Sequence, residues 1–114
     1  MPHFVIDCSK NILAHQSPQV IIQKVYDTAD ASGLFAPGEI KVRINAFEHY
    51  IVGGTQKDFI HVFGNIMEGR TVDQKKKLSD SIIRELKAMF PEVPIVSINI
   101  RDFEKATYSN RDLV

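Results

Sequence analysis

Met1-Pro2-His3-Phe4-Val5-Ile6-Asp7-Cys8 opens the chain, and Phe59-Ile60-His61-Val62-Phe63-Gly64-Asn65-Ile66-Met67 opens its second half. Both runs alternate their side chains between two faces, the period of a β-strand. In the first, Phe4, Ile6 and Cys8 share one face and His3, Val5 and Asp7 the other. In the second, Phe59, His61, Phe63 and Asn65 alternate with Ile60, Val62, Gly64 and Ile66, so apolar groups lie on both faces. Pro2 and Phe59 are 57 positions apart, half the length of a 114-residue chain. That offset predicts a structural repeat carried by pattern, not by residue identity.

The segments downstream of the two runs support the repeat. After the first, residues 9–16 form a connection, and Ser17-Pro18 reads as a helix start, with Ser as N-cap and Pro at the first helical position. Val20, Ile21, Val25, Ala29 and Ser32 make a stripe at helical spacing, and Gly33 is placed to stop the helix. Residues 39–47 then alternate Ile40, Val42, Ile44 and Ala46 against Lys41, Arg43 and Asn45, a strand with one apolar and one cationic face. Tyr50 to Thr55 reads as a small hairpin around Gly53-Gly54.

After the second run, Glu68-Gly69-Arg70 turns the chain and Thr71 with Gln74 has the spacing of a capping box. Leu78, Ile82, Leu86 and Met89 form the helix stripe, Pro91 ends it, and residues 94–101 are a fourth strand. The tail beyond is polar, with Phe103 and Tyr108 available as anchors.

The chain therefore reads as an α+β protein, a tandem β-α-β repeat forming one domain over residues 1–114, with half-repeats 2–57 and 58–114. A helix-length crossover in each half predicts parallel strand pairs within it. Four strands then make a mixed sheet with two helices on one face. The other face still carries apolar groups and calls for a cover, most economically a second copy of the chain.

Composition narrows the function. Apolar residues make up 44% and charged residues 25%, the mix of a water-soluble globular domain. Lys+Arg 14 balance Asp+Glu 14, so the basic excess of a nucleic-acid binder is missing. No apolar run has the length of a membrane span, and no charged segment followed by a long apolar one marks a leader. Cys8, the one cysteine, has no internal disulfide partner, which suits a reducing cytoplasm. His3, His15, His49 and His61 show no metal-ligand spacing, and the six glycines form no phosphate loop or dinucleotide fingerprint, so neither a metal nor an organic cofactor is expected.

The residues left for chemistry are few. Pro2 is an unusual opening for a strand because it has no N–H for the ladder. It can simply start the strand. If Met1 is removed, it also carries a free secondary amine, and α-amino groups titrate near 7.7–8.0, so Pro2 can serve as a base. Lys41 and Arg43 project from one strand face, and Arg70 precedes a helix N-terminus, where free N–H groups and a guanidinium suit a carboxylate. Each cation alone reads equally as a surface charge. Together with an amine they describe a weak base among anion binders.

These residues resemble a known family. The run Pro2 to Ile12 is similar to the opening of the 5-carboxymethyl-2-hydroxymuconate isomerases, members of the tautomerase superfamily. Ser32-Gly33-Leu34-Phe35, the pair Ile40 and Arg43, Phe59-Ile60-His61-Val62 and Gly69-Arg70-Thr71 carry further similarity. The resemblance implies a homotrimer of paired β-α-β units with sheets facing inward. It implies a keto–enol isomerisation of a 2-hydroxymuconate in aromatic catabolism, with Pro2 moving the proton. Arg70 matches an active-site arginine of the family. At a second such position stands Lys41, which keeps the charge but loses the bidentate fork; Arg43, two residues on, can share that role. Two alternatives stay open: a tautomerase-fold protein with another enol substrate or a binding role, and a ferredoxin-like binding module, which has the same βαββαβ order along the chain.

Overall fold

The structure is a computed structural model describing residues 1–114. Its elements are β1 (His3–Ser9), α1 (Pro18–Ala31), β2 (Lys41–Phe47), β3 (Phe59–Met67), α2 (Val72–Met89) and β4 (Ile95–Phe103). The four strands form one sheet in the order β2-β1-β3-β4. β1 pairs parallel with β2, β3 pairs parallel with β4, and the two central strands β1 and β3 run antiparallel. Each half is thus a β-α-β unit with adjacent strands, and the two units meet through their first strands. In a ferredoxin-like domain the strands joined by a helix are split by another strand. Here they are neighbours, so that reading is excluded.

Local chemistry explains where the elements begin and end. Ser17 accepts the backbone N–H of Val20 at 3.3 Å and Pro18 opens α1. Thr71 and Gln74 form the reciprocal capping box at the start of α2, at 2.8 and 3.1 Å. Gly33, just past α1, adopts a left-handed φ of 72°. Gly53 and Gly54 both have positive φ, the requirement of a two-residue type I′ turn, and Val52 bridges Thr55 around them. The connection after β1 contains a short 3-10 helix, Lys10–Ala14, which buries Ile12.

Both helices lie on one face. Under them sit Phe4, Ile6 and Cys8 of β1 and Ile60, Val62 and Ile66 of β3, all buried. α1 contributes Ile21, Val25 and Ala29, and α2 contributes Leu78, Ile82 and Leu86. Fully burying an aliphatic side chain of this size stabilises by about 1.5–3 kcal/mol. Val20, which shares the helical spacing of the α1 stripe, is 46% exposed, because the buried arc of α1 is confined to Ile21, Val25 and Ala29. Gly64 carries no side chain because none fits. A Cβ there would lie 2.6 Å from Cδ1 of Ile100 and 3.1 Å from the ring of Phe4, its cross-strand partner.

The opposite face is open. Val5 and Phe63 lie on it with His3, Asp7, Lys41, Arg43, His61 and Arg101, as the strand registers require.

Candidate active site at the proline end of the sheet

β1 and β2 begin, and β3 and β4 end, at the same end of the sheet. This places Pro2, Lys41 and the Gly69-Arg70 turn at one end of the molecule. Pro2 is fully buried, with the parity of Phe4 and Ile6, and its carbonyl accepts the backbone N–H of Lys41 at 3.0 Å. Met1 precedes it, with its terminal amine 3.6 Å from Glu39 Oε2. With Met1 attached, the Pro2 nitrogen is an amide nitrogen.

Arg70 is held from two sides. It donates to the carbonyl of Met67 at 3.1 Å and to that of Leu34 at 2.7 Å. Its guanidinium lies 5.1 Å from the centre of the Phe35 ring, and Phe35 in turn meets Phe4 edge-on at 6.1 Å. Arg70 therefore ties the loop after α1 to the turn before α2. Of five N–H donors on a guanidinium, three remain for another acceptor. A cavity of about 350 Å³ opens beside it, lined by Gly33, Leu34, Glu68, Gly69, Arg70 and Gln74.

Lys41 and Arg43 occupy the open face. Lys41 Nζ donates to the carbonyl of Glu39 at 3.1 Å. Arg43 Nη1 lies 3.2 Å from Nδ1 of His3. His3, Lys41, Asn65 and Arg101 form one row across the sheet, the row next to Pro2. Burial, then Arg43, Lys41 and the terminal amine, lower the His3 pKa from its ordinary value. This end of the sheet thus gathers Pro2, Lys41 and Arg70, while Arg43 is one row further in and engaged with a histidine. Sequence reasoning treats His3 as an ordinary sheet residue. Nothing in its local sequence marks it out, since only the register of β1 with β2 brings it to Lys41 and Arg43.

No cluster of His, Cys, Asp or Glu side chains suited to a metal is present. Cys8 is buried, and desolvation followed by the charge of Asp7 pushes its thiol up to about 11. It is an apolar core group, not a nucleophile. No helix is long and apolar enough to cross a membrane.

A family model described as 5-carboxymethyl-2-hydroxymuconate isomerase matches residues 2–111. A 5-carboxymethyl-2-hydroxymuconate Delta-isomerase from Escherichia coli is 26% identical over 92 residues, covering 79% of this chain and 73% of that protein. The crystal structure of a 5-carboxymethyl-2-hydroxymuconate isomerase from Deinococcus radiodurans R1 superposes with a TM-score of 0.84 at 22% identity, covering 96% of this chain and 88% of that one. A fused 4-OT wild-type symmetric trimer gives a TM-score of 0.80 at 10% identity, covering 98% and 96%. At these identities the two structures show a shared fold.

Proposed function

This chain belongs to the 5-carboxymethyl-2-hydroxymuconate isomerase family, and from that premise we propose that it ketonises a carboxylated 2-hydroxymuconate with the amine of Pro2 as its base. Isomerase chemistry follows from the family; the base, its helpers and the substrate are the proposal. The observation that supports it is that Pro2, Lys41 and the Gly69-Arg70 turn lie at the same end of the sheet.

Removal of Met1 converts the Pro2 nitrogen from an amide to a secondary amine. Apolar burial and nearby cations both disfavour the protonated form of such an amine, which keeps it available as a base near neutral pH. The amine takes the enol hydroxyl proton of the substrate and returns it to carbon, so the hydroxydiene becomes its keto isomer with no atom gained or lost. Arg70, with three unused donors, and Lys41 hold the carboxylates. Arg43 adds positive charge on the same strand face as Lys41. The step needs neither metal nor organic cofactor.

The working unit is a homotrimer in this reading, in the cytoplasm, where a single thiol stays reduced. The fused 4-OT proteins of the same fold are trimers. The open face, with Val5 and Phe63 on it, supplies the apolar surface such an assembly would cover.

A ketonisation assay on 2-hydroxymuconates, with protein shown by intact mass to lack Met1, tests the reading. Pro2→Ala and Arg70→Ala are each expected to lower kcat/KM by on the order of a hundredfold or more. Full activity in Pro2→Ala would move the base elsewhere. Retention of Met1 by protein from its native source would end the Pro2 mechanism.

A further inference from the structure

We propose that His3 is a catalytic hydrogen-bond donor of this site, fixed by Arg43 as the neutral tautomer with its proton on Nε2 and aimed at the oxygen that gains charge during isomerisation. The proposal rests on the isomerase reading and adds a residue to it.

Arg43 Nη1 and His3 Nδ1 are 3.2 Å apart. A guanidinium has only donors and stays charged. Nδ1 must therefore present its lone pair, which leaves the ring proton on Nε2 and the imidazole uncharged. Nε2 has no partner within the chain, so one oriented N–H remains free. The charged groups on this face point the same way. Lys41 and Arg43 from β2 and Arg101 from β4 are all positive, while Asp7, the acid on this face of β1, pairs with Asn45 at 3.3 Å. No carboxylate stands against the ring to favour an imidazolium.

The position suits the role. His3 adjoins Pro2, their Cα atoms about 3.8 Å apart. The two side chains lie on opposite faces, but the nitrogen at the head of the strand is backbone and is confined to neither. The ring stands on the open face in one row with Lys41 and one residue along the chain from that nitrogen, and the proposal sets its N–H against an oxygen whose neighbouring carbon exchanges a proton with the amine. A neutral donor also does something the cations do not. Lys41 and Arg70 attract a carboxylate that is fully charged throughout, which is largely uniform binding. A neutral N–H gains strength as negative charge grows on the enolate oxygen, so its contribution falls on kcat. Arg43 then acts through His3 as a positioning residue.

The test combines spectroscopy with a mutant cycle on Met1-free protein. Nitrogen-15 NMR of selectively labelled wild type near neutral pH is expected to show His3 protonated on Nε2 alone; an Nδ1–H tautomer or an imidazolium overturns the proposal. His3→Leu is expected to lower kcat on the order of a hundredfold with little change in KM. His3→Gln, which restores an N–H near the Nε2 position, recovers most of that loss. Arg43→Met falls in the same direction, and the double variant is no worse than His3→Leu alone. An unchanged kcat in folded His3→Leu, or losses that multiply in the double variant, overturns the proposal. Wild-type protein without ketonisation activity sinks the isomerase reading instead, and is recognised before any variant is compared.

Discussion

Single residues of β1 have two opposed environments, and each shifts the pKa of the group it surrounds. Cys8, facing the helices, is wholly buried with its thiol raised to about 11. The native protein is therefore expected to resist a thiol reagent such as DTNB in mildly alkaline buffer and to react stoichiometrically once unfolded; fast native labelling would show that the strand opens locally. His3, facing the open side, has its pKa lowered by burial, Arg43 and Lys41. The unfolded chain then binds more protons than the folded one just below the ordinary histidine value of about 6.5. Stability accordingly rises with pH through that window and is lost as pH falls through it. His3→Gln should flatten this part of the profile in urea unfolding followed from about pH 5 to 7.5. These residues differ in how visible they are in the sequence. Cys8 declares itself through strand alternation. His3 does not, because its meaning depends on a register with Lys41 and Arg43 that no local pattern states.

At the scale of elements, the sequence speaks clearly wherever the determining interaction is short-range. Ser17-Pro18, Thr71 with Gln74, and Gly53-Gly54 each mark their element over a few residues, and each does in the structure what its type demands. Thr71→Ala is expected to cost about 1 kcal/mol in chemical denaturation, since it strips the cap from the longer helix. Gly64 is the opposite case. Its absence of a side chain matters only because Phe4 and Ile100 converge above it from strands on either side. Gly64→Ala should destabilise by about 1–3 kcal/mol through overpacking, whereas replacing an uncrowded strand glycine by a larger residue is mildly stabilising. A variant as stable as the parent would mean that Ile100 moves aside without cost. Arg70 belongs with Gly64. The turn before α2 is legible, but the clasp to Leu34 spans 36 positions of sequence, and the stack on Phe35 crosses the same gap between loops.

For the whole molecule, the half-length repeat and two helices for four strands already imply a sheet covered on one side, and the structure has that form. The consequence is an exposed face bearing Val5 and Phe63, with Phe63 37% exposed and packed edge-on against His61 at 4.4 Å. An aromatic at the middle of a sheet face is poorly placed for a lone molecule and well placed for an assembly. Phe63→Glu puts a charge at that point without touching the opposite side, where Phe4, Ile60 and Val62 meet Leu78 and Ile82 of α2 in the core. Burying an unpaired carboxylate between copies is strongly unfavourable. For the proposed trimer, sedimentation velocity is therefore expected to shift to monomer in Phe63→Glu, while the far-ultraviolet circular dichroism keeps its native shape. A variant that remains trimeric would show that the copies meet through another surface, and a variant that unfolds outright would show that the chain cannot hold its sheet without its neighbours.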